Sequence, residues 1–247
     1  MKTVKFYLVI LLLAAAVSCK KNDNASVNVK GNVSNDEAAD MVAASMSSNF
    51  NGVAGVSSDV TISAQTFTSI HLACGASKSD SVSRHFNGSQ FSYSYSLKYN
   101  YTLNCNSDNQ PDNLVSNLAY SGSYSSSRIS SSNSGTSAFT VGGLNPTATN
   151  YVINGEYKRD GSFKSKVDTT NSGSSAIDIT VKSLTLTKPA RKIASGSATF
   201  IISGTVPKKG NFSYNGTIVF NGDGTANLTV NGTLYIVNLE TGEKNKK

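Results

Sequence analysis

Phe91-Ser-Tyr93-Ser-Tyr95-Ser-Leu97-Lys-Tyr99-Asn-Tyr101-Thr-Leu103-Asn-Cys105 decides the fold. Every odd position is apolar or aromatic, and every even position between them is polar. A two-residue period puts the rings on one side of an extended chain and the hydroxyls, amides and lysine on the other. That is an antiparallel strand with one face in a core and one in water. At about 3.4 Å per residue it would run roughly 50 Å, against a usual strand of five or six residues. Strands of this length belong to large curled sheets. The expected fold class is therefore all-β: a single large curled antiparallel sheet or half-barrel with one short N-terminal helix.

Composition agrees. Of 247 residues, 40 are Ser, 21 Thr and 26 Asn, and only 15% are charged, well below the roughly 25% of an average soluble domain. This mix excludes a helical bundle, a coiled coil or a Rossmann enzyme, and suits a sheet with a hydroxyl-rich wet face. The net charge of +7 sits mostly at the ends, since residues 25–241 carry 15 Lys/Arg against 13 Asp/Glu. A nucleic-acid surface needs its cations clustered on a folded face, so no nucleic-acid partner is expected.

The start of the chain carries the strongest functional signal. Met1–Lys5 is basic, Phe6–Ala16 is continuously apolar, and Ala16-Val17-Ser18-Cys19 follows. The apolar run is too short to span a bilayer and reads as a signal-peptide core. The small residues before Cys19 resemble the lipobox of bacterial lipoproteins, and Cys19-Lys20-Lys21-Asn22-Asp23 is similar to lipoprotein openings in Bacteroidota. The resemblance implies cleavage before Cys19, acylation of that residue, and membrane attachment through acyl chains. It places the protein at the outer membrane, facing either the periplasm or the outside. The expected organisation is a signal peptide over 1–18, a flexible tether over 19–33, an all-β domain over 34–241 and a basic tail over 242–247.

With Cys19 acylated, two cysteines remain in an oxidising compartment. Asn87-Gly88 reads as a type I′ hairpin turn, about which facing residues have numbers totalling 175. Phe86, Val82, Cys74, Leu72 and Ile70 then share the aromatic face. Cys74 lies opposite Tyr101, four residues short of Cys105, and a bulge or bend closes the gap. A Cys74–Cys105 disulfide is expected.

Ser34-Asn35-Asp36-Glu37 supplies a capping box, and Ala38, Val42 and Met46 recur every four residues, which predicts a helix over about 36–49 that Asn51-Gly52 closes. Everything after Asp59 reads as strand and turn. Turns are expected at Asn106–Asp112, Asp160-Gly161, Pro207–Gly210 and Gly222–Gly224, a bulge near Ser183, and a flexible loop along the serine-rich run Ser125–Ser137. Tyr214-Asn-Gly-Thr and Val230-Asn-Gly-Thr read as two neighbouring strands using glycine alike.

Candidate chemistry is sparse. His71 and His85 cannot build a zinc site without the cysteines, and no nucleophile elbow, metalloprotease or phosphate-loop motif occurs. No cofactor, metal or catalytic residue is assigned. Tyr93, Tyr95, Tyr99, Tyr101, Tyr120 and Tyr124 form the one suggestive face. It is either the core under the helix or a surface that holds a hydrophobic ligand. The expected role is non-catalytic binding or scaffolding, with an envelope protein or hydrophobic ligand as partner. The alternatives are a half-barrel carrier of lipid and a hydrolase.

Overall fold

The computed structural model describes residues 33–247; Cys19, the leader and the tether up to residue 32 lie outside the described residues. The chain opens with α1 (Asn35–Met46) and α2 (Val53–Ser69). Eleven strands follow: β1 (Ser77–Asn87), β2 (Ser92–Cys105), β3 (Pro111–Ser125), β4 (Ile129–Gly142), β5 (Asn150–Ser165), β6 (Ser172–Thr187), β7 (Ile193–Val206), β8 (Gly210–Phe220), β9 (Thr225–Val230), β10 (Thr233–Asn238) and β11 (Lys244–Lys246). Each pairs antiparallel with the next, giving one eleven-stranded sheet in chain order that does not close into a barrel. The expected all-β curled sheet is the fold, with two helices instead of one.

The quoted segment is β2, and its burial alternates as its sequence does, with Tyr95, Leu97, Tyr99, Tyr101 and Leu103 buried. The same alternation continues around the sheet and defines an inner face, over which the two helices lie. Ser34 caps α1 as expected: its Oγ accepts from the Glu37 N–H (3.1 Å) and its own N–H donates to Glu37 Oε2 (3.0 Å). Every residue from Glu37 to Met46 is buried. Val33 is already buried and its carbonyl accepts from the Tyr214 hydroxyl, so the tether ends before it.

Glycines on the inner face let the sheet curl. Residues facing each other across neighbouring strands include Tyr95 with Gly122, Tyr120 with Gly135, Phe200 with Gly216 and Phe212 with Gly204. In each pair a Cβ on the glycine would meet the ring at 2.4–2.8 Å and a neighbouring carbonyl oxygen at 1.7–2.2 Å. The ring lies where the missing side chain would be, a known way of packing glycine in curved sheets.

Several local expectations are corrected. Asn87-Gly88 does not form a two-residue turn. Asn87 pairs with Ser92 across a longer loop, and facing residues total 179. That shift of four removes the expected gap: continued past Ser77, the register sets Cys74 level with Cys105. The two sulfurs are bonded, with Cα atoms 5.6 Å apart. Ile70 and Leu72 are not in the strand; they end α2 and lead out of it. Asn231-Gly232 is the true two-residue turn, with both φ values positive, while the matching Asn215-Gly216 sits inside β8. Asp160-Gly161 is likewise the middle of β5, and the serine run forms the end of β3, a tight turn and most of β4. Ser183 does mark a bulge, with φ +49° and a register shift between β6 and β7. The basic tail carries β11, and the Lys244 side chain is buried against Asp36 and Asp40.

Candidate functional site

The six tyrosines share the inner face, and five of them are buried; Tyr93 is half-buried at its rim. They belong to the core beneath the helices. Phe67 of α2 packs edge-on to Tyr101, which stacks on Tyr99. The Tyr99 hydroxyl donates to Asp59 Oδ2 (2.5 Å), and Asp59 Oδ1 pairs with Arg84 of β1 at 2.6 Å. Asp59, placed at the start of the strand region by sequence reading, is thus a helix residue that ties α2 to β1 and β2.

The remaining tyrosines gather around a cation that sequence reading passed over. Arg159 of β5 is 3% exposed, and no carboxylate pairs with it among the described residues. Its Nη2 donates to the Phe50 carbonyl and to Tyr157 Oη (2.7 Å); its Nε donates to Tyr157 Oη (3.1 Å) and Tyr120 Oη (3.3 Å). Tyr157 in turn donates to the Asn51 carbonyl (2.8 Å). The guanidinium lies over the Tyr124 and Tyr157 rings at 5.4 and 5.6 Å, an arrangement that offsets part of its burial cost. Burial pushes the Tyr95, Tyr124 and Tyr157 hydroxyls up, against the pull of Arg159. The result binds the corner between the helices to the middle of the sheet. Arg159 was legible by parity, because Tyr157, Arg159, Gly161 and Phe163 are all odd-numbered; reading Asp160-Gly161 as a turn hid it.

The aromatic core approaches the surface at a cleft of about 470 Å³. Its apolar wall is Ala44, Phe50, Phe91 and Ile129; Asp40, Arg128, Lys166 and Glu243 supply charge. Phe50 links it inward, stacked on Tyr124 at 4.7 Å and edge-on to Phe91 at 6.0 Å. The cleft is lined by α1, the loop between β1 and β2, the turn between β3 and β4, and the segment entering β11. Arg128 lines it and pairs with Asp36 and, at 2.9 Å, with Asp40. Burial raises the Asp40 carboxyl above its usual range despite that arginine. At half-exposed Asp36 the same penalty is outweighed by Lys244 and Arg128, and its pKa falls.

The other candidates are dispersed. His71 and His85 are both exposed, and no group of His, Cys, Asp and Glu suited to a metal occurs among the described residues. In the Asn106–Asp112 turn, Asn106 Oδ1 accepts from the Asp108 and Gln110 N–H groups and Asp112 from Asn113, so these oxygens serve the turn itself. No helix among the described residues is long and apolar enough to cross a membrane. No protein-family model, curated protein or solved structure matches the chain.

Proposed function

We propose that the protein is a lipid-anchored lipoprotein of the cell envelope, held at the outer membrane through Cys19, with a non-catalytic binding role centred on the cleft between α1 and the first hairpin. The anchor rests on the sequence of the leader. The binding role rests on one observation: the cleft is a concavity with an aromatic wall and charged rim, the composition of a surface that takes a partner or amphiphilic ligand. The carrier alternative is less well supported, because α1 and α2 fill the inner face that a lipid would occupy.

Position adds to the reading. Arg128 lines the cleft and binds Asp36 in the first turn of α1. The point where the tether enters the fold is therefore about one helical turn from the cleft, and a link of 14 residues, which reaches at most roughly 50 Å, bounds how far the fold can stand from the bilayer.

Mass spectrometry of the native N-terminus tests the anchor. A thioether-linked diacylglycerol on Cys19 is expected, and Cys19→Ser should move the protein from the membrane to the soluble fraction. A native chain beginning at another residue, or a Cys19→Ser variant that stays membrane-bound, would refute it. A photo-crosslinker at Gln90 should capture a lipid or envelope protein that one at Asn109, in the β2–β3 turn, does not. Equal capture at both would remove the cleft from the proposal.

A further inference from the structure

The two edges of the sheet are finished differently. β11 is three residues long and carries two lysines, the kind of edge that resists further pairing. β1 is eleven residues long, exposed along nearly its whole length, and pairs only with β2 among the described residues. The Ala76 carbonyl and the Gly88 N–H both bond towards the β2 side, at Leu103 and Phe91. Because ladder groups alternate, the N–H and C=O of the odd residues from Ser77 to Asn87 face away from β2. Ser81 N–H, one of these, takes Asp80 Oδ1 of its own neighbour at 2.8 Å. On β1 itself Phe86, stacked on Phe91 and Tyr93, remains 43% exposed.

We propose that β1 pairs antiparallel with β1 of a second copy of this chain, across a two-fold axis at Val82, joining two eleven-stranded sheets edge to edge. The sequence of β1 selects that register. Facing residues must share a sheet face, so only registers pairing even with even positions are allowed. The one that overlaps all eleven residues sets Ser77 against Asn87. It also places Asp80 opposite Arg84 of the other copy, twice by symmetry, Lys78 opposite Phe86, and Val82 against itself. Moving the register by one allowed step in one direction sets Lys78 against Arg84; moving it two steps sets Asp80 against Asp80 or Arg84 against Arg84. Full overlap and charge pairing coincide in one arrangement, the self-complementarity an isologous interface requires. Asp80 then exchanges its own backbone for the facing Arg84, which keeps its pairing with Asp59 of its own chain, and the Ser81 N–H is released to the ladder. The axis falls on a pair without ladder hydrogen bonds, where side chains approach closest.

The complete chain carrying Val82→Cys, oxidised in the envelope of the producing cells, should run as a disulfide-linked dimer on non-reducing gels. Thr217→Cys on the outer face of β8 should stay monomeric. In detergent, sedimentation should show the unmodified protein as a dimer. Asp80→Lys should raise its dissociation constant about tenfold, since two charge pairs become repulsive, with the melting of the subunit fold unchanged. Cross-linking of Val82→Cys no greater than that of Thr217→Cys would overturn the proposal, as would a wild-type monomer. A photo-crosslink from a probe at residue 82 to residues 20–32 of the same chain, found by peptide mapping, would identify the N-terminal segment as the occupant of the edge and overturn it equally.

Discussion

Where Phe200 lies over Gly216, two needs meet at one residue. A sheet that curls around two helices crowds carbonyls on its inner face, and large aromatic side chains still have to pack there. Glycine opposite an aromatic satisfies both: it yields room to the facing carbonyl and floor space to the ring. A Cβ at Gly216 would sit 1.7 Å from the Thr229 oxygen and 2.8 Å from the Phe200 ring. Gly216→Val should therefore destabilise the fold by about 3 kcal/mol or more, as overpacking against backbone does. Gly210, where nothing lies within 4 Å but φ is +99°, is a fair comparison. Gly210→Ala should cost only about 1 kcal/mol of backbone strain. Denaturant unfolding of both variants checks the ranking, and equal losses would show that inner-face space is not what these glycines supply.

At the scale of the element, α2 is the instructive case. Val53, Val56, Val60, Ala64 and Phe67 follow a helical stripe, yet the segment is rich in Val, Ile, Ser and Thr, which favour strands and turns. Burial decides it: the stripe lies against the aromatic sheet face, and hydroxyls at Thr61, Thr66, Thr68 and Ser69 donate to carbonyls one turn back. Gly52 reads as a stop but serves as a corner, because a Cβ there would meet the Ser45 backbone at 2.5 Å. Strands such as β2 were legible because a period of two survives any length. Turn residues inside β5 and β8 were not, since Asp-Gly and Asn-Gly look the same whether the chain reverses or merely curls. The cysteines were legible by type, and their register was fixed by the loop after Asn87. Their bond, across a sequence separation of 31, pins the exit of α2 to the end of β2. Replacing both by serine should cost about 3–4 kcal/mol on the chain-entropy estimate. Hydrogen exchange should then rise first in α2 and β1, whereas uniform protection loss would show that the bridge steadies the molecule as a whole.

The whole molecule is a sheet filled from within, and its interior is unusually phenolic. Burial drives the Tyr101 and Tyr235 hydroxyls up to about 12 from the ordinary 10.0, and Tyr95, Tyr99, Tyr124 and Tyr157 are raised as well. A tyrosine whose folded pKa exceeds its unfolded one keeps its proton in the native state while the unfolded chain sheds its own. The stabilisation is whole below the unfolded value and is lost as pH climbs through the folded one. A rise of two units in one group corresponds to about 2–3 kcal/mol at its limit. Several such groups in one core should make stability fall steeply from about pH 10 to pH 12. The denaturant midpoint should drop at each step over that range, and phenolate absorbance should lag in the native protein, then appear together with loss of the β-sheet signal. A midpoint flat above about pH 10, or phenolate forming well before the sheet is lost, would mean that these rings reach water in the folded state. The inner face would then be open enough to hold a ligand, and the carrier reading would replace the filled core.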